Sequence, residues 1–101
     1  MRPELMNDPI KQRWLDFSEC THPLEVEHVI REKLELPEWY GCNLDALWDS
    51  ITGIMYTPAE VTIVYHPEKN VQWVREYIEK VVSIFYEARD EWDDIIVHVV
   101  M

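Results

Sequence analysis

Residues 61–65 read Val-Thr-Ile-Val-Tyr, and this short run decides the fold class. β-branched and aromatic residues favour strands, and Pro58 interrupts the chain just before the run, so we predict a strand here. Downstream, from about residue 71 to 91, apolar residues recur at helical spacing: Val74, Ile78, Val81, Phe85 and Ala88. That spacing predicts a long helix directly after the strand.

Two further helices are predicted upstream of this strand. Asn43 is a good N-cap and Gly53 a good C-terminal stop, which predicts a helix over about 43–52. Pro23, just after Thr21-His22, marks an earlier helix start, and this helix should end before Pro37. Its predicted apolar stripe consists of Leu24, Val26, Val29, Ile30 and Leu34.

The two ends of the chain supply the remaining strands. Trp14, Leu15 and Phe17 predict a first short strand, and residues 95–100 are Ile and Val interrupted only by His98, which predicts a buried final strand. Strands separated by helical segments imply crossover connections and a parallel sheet. We therefore expect an α/β domain, a small three-stranded parallel sheet covered by helices.

The chain length allows one domain. Its 101 residues suffice for a single hydrophobic core. Residues 1–10 are polar, contain two prolines and are predicted to form an N-terminal extension, whereas residues 11–101 form the domain. With only Cys20 and Cys42 in the chain, we expect free thiols rather than a disulfide.

The charge of the chain restricts its partners. Twenty acidic against nine basic residues give a formal net charge of −11, which repels nucleic acid and anionic membranes and attracts basic proteins. No Lys or Arg occurs between Lys33 and Lys69. With no secretory leader and no apolar run near the ~18–20 residues needed to span a bilayer, we expect a cytoplasmic protein.

The predicted helix at 43–52 carries acidic residues on one flank. On a helical wheel Asp45, Asp49 and Thr52 fall within ~60°, beside a core-facing stripe. The stripe consists of Leu44, Leu47, Trp48 and Ile51. Like charges at i and i+4 oppose each other, and Asp49 lies near the negative helix C-terminus. The residues alone leave two interpretations open: a solvated acidic face, or a surface that binds a cationic partner.

A resemblance covers this same region. Residues 36–53, Leu-Pro-Glu-Trp-Tyr-Gly-Cys-Asn-Leu-Asp-Ala-Leu-Trp-Asp-Ser-Ile-Thr-Gly, resemble the signature of the barstar family, intracellular inhibitors of the secreted ribonuclease barnase. A weaker similarity continues in residues 85–89, and the order of strands and helices matches over about 11–101. The resemblance implies a three-stranded parallel sheet, with a loop and the second helix entering the active site of the enzyme.

The resemblance also implies roles for individual residues. Asp49 matches the dominant acidic anchor of the family, which occupies the site of a substrate phosphate, and Asp45 matches a second acidic contact. Trp39 stands where the family has an interfacial Tyr. The remaining implied contacts are Asn43, Thr52, Gly53 and Glu87. Glu87 lies ~130° from the centre of its helix's apolar stripe, so we expect it to be exposed.

Departures from the family pattern bear on the target. Ile54 replaces a Trp, Cys42 replaces a Glu, and Trp39 is larger than Tyr. These changes favour a related bacterial ribonuclease toxin over barnase itself, with this chain as the immunity protein of a toxin–antitoxin pair. We therefore expect this chain to bind a basic ribonuclease in a 1:1 complex. We do not expect it to be an enzyme or to use a cofactor or metal.

Two alternatives remain open at this stage. One is a barstar-like interaction domain with a basic partner that is not a ribonuclease. The other is a metal-dependent hydrolase that uses Asp45 and Asp49, because carboxylate pairs perform such chemistry. The sequence offers that enzyme no third ligand, no partnered base and no glycine-rich substrate loop, and the four histidines lack metal-ligand spacing.

Overall fold

The described part of the chain contains three strands and three helices. The computed structural model describes residues 10–53, 55 and 58–101. The elements, in chain order, are β1 (Lys11–Asp16), α1 (Pro23–Lys33), α2 (Leu44–Gly53), β2 (Ala59–Val64), α3 (Gln72–Glu91) and β3 (Ile95–Val100). The predicted N-terminal extension, residues 1–10, lies outside the described residues except for Ile10, as does the departure at Ile54.

The three strands form one parallel sheet in the order β1-β2-β3. In its middle row Trp14 lies beside Thr62, and Thr62 lies beside His98. Parallel neighbours require a crossover on each side of β2, and the chain makes the first through α1 and α2 and the second through α3. The predicted α/β fold with a small three-stranded parallel sheet is confirmed.

Among the described residues, the helices cover only one face of the sheet. Each strand buries alternate side chains, among them Leu15, Ile63 and Val97, and leaves the others on the opposite face. The prediction of a buried final strand was therefore right for Ile95 and Val97 but wrong for the alternate residues, because Ile96 is 41% and Val100 47% exposed. The reason is that the helices pack on the side of the sheet that carries the buried residues, so an apolar run in β3 still has an outward face.

The helix α1 begins where the sequence predicted. Nδ1 of His22 accepts the N–H of Leu24 at 3.0 Å, and Pro23 occupies the first turn. The predicted stripe was wrong at Leu24, which is 51% exposed. On a wheel Leu24 lies ~160° from Val26 and ~120° from Ile30, so it faces away from them, whereas Glu27 lies ~60° from Ile30 and is buried.

The helix α1 ends in a Schellman motif. Glu35 has a positive φ of 55°, and the N–H of Leu36 reaches back to the carbonyl of Arg31 at 2.9 Å. The buried Arg13 of β1 donates from Nη1 to the carbonyl of Lys33 and to Oε1 of Glu35, each at 3.1 Å. One side chain thus ties the first strand to the end of the first helix.

Both cysteines are free thiols, as expected, and burial raises the pKa of Cys20 to about 11. Within the described part of the chain no helix is both long and apolar enough to cross a membrane.

Candidate acidic binding site

The helix α2 starts from a side-chain cap at Asn43. Its Oδ1 accepts the N–H of Ala46 at 2.8 Å, and its backbone carbonyl accepts the N–H of Leu47 at 2.9 Å. The amide Nδ2 of Asn43 donates to the carbonyl of Gly41 at 3.2 Å. This confirms the predicted N-cap and shows that Asn43 fastens the preceding loop to the first turn of α2.

The faces of α2 follow the predicted wheel in part. Leu47 and Ile51 are fully buried, as expected of a core stripe, whereas Leu44 and Trp48 are only half-buried. Asp45 and Asp49 are both exposed. On the wheel the half-buried pair lies between the core residues and the two carboxylates.

A shallow groove runs between α2 and α3. It encloses about 490 Å³ and is lined by Leu44, Asp45, Trp48, Asp49, Ile84 and Glu87. The ring of Trp48 meets the edge of Trp92 at a centroid distance of 6.1 Å. Three of the six lining side chains are carboxylates and three are apolar, so this acidic groove suits a cationic group attached to an apolar stem.

The structure brings together three of the predicted contact residues in the acidic groove: Asp45, Asp49 and Glu87. Glu87 is exposed, as expected from its position on α3. The other four lie outside the groove lining, on the preceding loop or along α2.

Trp39 on the loop is highly exposed, with 74% of its surface accessible. At the far end of α2, Thr52 is half-buried and its hydroxyl donates to the carbonyl of Trp48 at 2.8 Å, while Gly53 is exposed as the last helical residue. A large aromatic surface at one end of α2 and small residues at the other therefore flank the acidic groove.

The loop before α2 is held closely. The N–H of Tyr40 donates to the carbonyl of Pro37 at 3.0 Å, which closes a turn beneath Trp39. A Cβ added at Gly41 would lie 3.1 Å from Cβ of Ala46, so a larger residue here would push the loop and the first turn of α2 slightly apart. Cys42, one of the departures from the family pattern, has a positive φ of 53° and is half-buried.

A buried carboxylate supports the loop from below. Glu27 of α1 is 1% exposed, and its Oε1 accepts the hydroxyl of Tyr40 at 2.6 Å. Its other oxygen accepts the hydroxyl of Tyr77 from α3. Burial, followed by the hydrogen bond to Glu27, raises the pKa of both tyrosines, so each hydroxyl stays protonated and remains a donor at physiological pH.

Sequence reasoning did not identify the residues that support the site. Ile84 could have been found, because it precedes Glu87 by three residues and therefore shares its side of α3. Glu27 also left a signal, since it lies three residues before Ile30 and seven before Leu34, within the buried arc of α1. Its partners, however, lie 13 and 50 residues away and leave no local pattern.

Within residues 10–53, 55 and 58–101, no three His, Cys, Asp or Glu side chains are arranged to hold a metal ion. His98, which the sequence places in an apolar strand, is exposed on the open face of the sheet. Its Nε2 lies 2.6 Å from Oε2 of Glu60.

Comparison with known proteins defines the class of this chain. The family model described as Barstar (barnase inhibitor) matches residues 10–101. A Bacillus subtilis (strain 168) protein named "Putative ribonuclease inhibitor YrdF" is 35% identical over 72 residues, which is 70% of this chain and 78% of that protein. The α/β fold with a three-stranded parallel sheet is consistent with a barstar-like protein. The chain belongs to the Barstar family.

Family membership supports a ribonuclease-inhibitor-like role and implies a ribonuclease as the general kind of partner. Both comparisons point to a non-catalytic inhibitor.

Proposed function

We propose that this chain inhibits a bacterial ribonuclease by inserting the acidic groove and its flanking loop into the basic active site of the enzyme. The observation that carries the proposal is the convergence of Asp45, Asp49 and Glu87, from two different helices, on one groove without a cationic side chain among its six lining residues. Like charges repel, so folding alone does not favour this cluster, whereas a cationic partner would stabilise it.

The chemistry of the target explains the mechanism. A ribonuclease gathers Lys, Arg and His side chains to bind phosphates and to stabilise the charge that develops during cleavage. Carboxylates accept the same charge-assisted hydrogen bonds but present no phosphodiester to cleave. Because Asp45 and Asp49 are carried on a capped helix and not on a mobile tail, little ordering entropy is lost on binding.

The contact residues divide into three roles in this proposal. Asp49 is the main anchor, and Asp45 and Glu87 are secondary acidic contacts. Trp39 packs its exposed ring against the enzyme beside the active site. Asn43, Thr52 and Gly53 lie at the two ends of α2 and complete the contact surface.

The proposal extends to the biological setting. The chain acts in the cytosol as the immunity protein of a ribonuclease toxin, in a 1:1 complex formed by the domain over residues 11–101. The departures at Cys42 and Trp39 fall on the contact surface, which favours a related ribonuclease over barnase as the preferred target.

Affinity capture from the source organism tests the proposal. The immobilised chain should retain a small basic protein that degrades RNA in a gel assay, and the double variant Asp45→Ala/Asp49→Ala should not. A protein retained equally by both forms, or one without ribonuclease activity, would contradict the proposed interface or the proposed target class.

The substitution Asp49→Ala should weaken binding of the captured ribonuclease most among the acidic residues. We expect a loss of about 30-fold or more, since removing one member of a buried charged hydrogen-bonded pair costs about 2 kcal/mol or more. Asp45→Ala and Glu87→Ala should cost less. Surface plasmon resonance measures each, and Glu32→Ala, an exposed acid on α1, is the control that removes the same charge elsewhere.

A further inference from the structure

Two of the elements that carry the proposed contacts, the loop before α2 and the helix α3, are hydrogen-bonded to a single buried side chain of α1. Glu27 lies on α1 and is itself remote from the acidic groove lining. One of its carboxylate oxygens accepts from Tyr40 on the loop, and the other accepts from Tyr77 on α3. No other side chain in the described part of the chain joins α1, this loop and α3 through hydrogen bonds.

The hydrogen bond between Tyr40 and Glu27 lies next to the proposed contact surface. Tyr40 is buried and adjoins the exposed Trp39, so the two successive side chains point to opposite sides of the loop. The hydroxyl of Tyr40 also lies 3.5 Å from the carbonyl of Asn43, the N-cap residue of α2. Fixing this hydroxyl therefore fixes both the aromatic contact and the start of the acidic helix.

The hydrogen bond between Tyr77 and Glu27 involves α3, the helix that carries Glu87 of the acidic groove. Tyr77 precedes Glu87 by ten residues on the same helix, about 15 Å along its axis. Each oxygen of the Glu27 carboxylate accepts from one tyrosine, so the loop and α3 are both hydrogen-bonded to the same side chain. The hydrogen bond from Tyr40 holds the loop, and the one from Tyr77 holds α3.

We infer that Glu27 is a positioning residue for the contact surface, acting through Tyr40 on the loop and through Tyr77 on α3. The inference rests on the proposed function, because it assigns the cause of the site's geometry. Its direct consequence, the immobility of the loop, is a property of the free protein.

Two variants that each lack one tyrosine hydroxyl distinguish an effect on the position of the loop from an effect on global stability. Tyr40→Phe and Tyr77→Phe each remove one hydrogen bond to Glu27 without changing charge, but only Tyr40 lies on the loop. NMR amide exchange of the free protein should be about tenfold faster in Tyr40→Phe at Tyr40 and Ala46, whose N–H groups are bonded to Pro37 and Asn43. In Tyr77→Phe it should change less than about twofold, as judged at equal global stability.

Binding provides the second readout, with the ribonuclease retained in the capture experiment as the probe. Tyr40→Phe should raise the dissociation rate about tenfold and change the association rate less than about twofold. In a double-mutant cycle Tyr40→Phe should have a smaller effect when Trp39 is already Ala, because both act on one contact.

The two readouts fail separately. Equal amide exchange at Tyr40 and Ala46 in both Phe variants would overturn the positioning role even if inhibition were intact. Absence of binding to any ribonuclease by the unaltered chain would overturn the proposed function while the exchange results stood.

Discussion

At the scale of single residues, the turn after β1 shows how local hydrogen bonds set a charge. Oδ1 of Asp16 accepts the hydroxyl of Ser18 at 2.6 Å and its N–H at 2.9 Å. The hydroxyl and then the N–H lower the pKa of Asp16 below its ordinary value of 3.8. Because the folded pKa is lowered, this turn adds stability above pH 3.8 and loses it as the pH falls through the folded value.

The substitution Ser18→Ala should raise the pKa of Asp16 towards 3.8 without reaching it. The hydroxyl, the larger of the two causes, is lost, but the N–H of residue 18 remains. An NMR titration of the Asp16 carboxyl measures the change, and Ser83→Ala, whose hydroxyl donates to a helical carbonyl instead, is the control. A pKa that did not move would show that the backbone N–H alone sets the charge.

The same scale shows what one side chain can and cannot reveal before the fold is known. The position of Asn43 before an apolar stripe predicted that it caps α2, and its hydrogen bond to the N–H of Ala46 confirmed the prediction. Glu27 lies on the buried side of α1, but the two tyrosines that bond to it are brought near only by the folded chain. A hydrogen bond can be predicted from the sequence when its partner lies within a few residues, as for Asn43, but not when the partner is distant, as for Glu27.

At the scale of elements, the end of α1 carries avoidable strain. Glu35 occupies the left-handed position of the Schellman motif, where a Cβ is unfavourable and glycine is usual. Its carboxylate is exposed, and the ion pair with Arg13 partly offsets that cost. The end of α1 therefore combines an unfavourable backbone conformation at Glu35 with an ion pair that links β1 to α1.

Comparing Glu35→Gly with Glu35→Ala isolates this strain. Both lose the contact with Arg13, but only glycine relieves the positive φ, so the Gly variant should be about 1 kcal/mol more stable than the Ala variant. Urea unfolding followed by circular dichroism measures the difference. Equal stabilities would indicate that the motif relaxes when the side chain is shortened.

Element boundaries were predictable where caps and breakers mark them, as at His22, Asn43 and Pro37. The predicted burial of β3 failed at Ile96 and Val100. A run of Ile and Val is equally consistent with one or two covered faces, and the number of layers depends on where distant helices pack. The acidic groove likewise required the placement of α3 against α2, which no single segment encodes.

At the scale of the whole molecule, the net charge of −11 acts over long distances. We expect the association rate with the captured ribonuclease to fall steeply between low and high salt, since the screening length is about 10 Å at 0.1 M and shortens further above it. Stopped-flow fluorescence measures this rate.

Variants divide the charge effect into long-range and local parts. Glu32→Ala should lower the association rate slightly at low salt and not at high salt, whereas Asp49→Ala should raise the dissociation rate at every salt concentration. An association rate independent of salt would contradict electrostatic steering of this complex.

The layout of the contact surface has an evolutionary consequence. Six of the seven proposed contacts fall within residues 39–53, a single uninterrupted stretch, and only Glu87 comes from elsewhere. That stretch rests on the remainder of the fold through buried anchors such as Leu47 and Ile51, which need not change when its outer residues do. Recombination of one short gene segment could therefore redirect such an inhibitor to a new toxin while its scaffold is inherited intact.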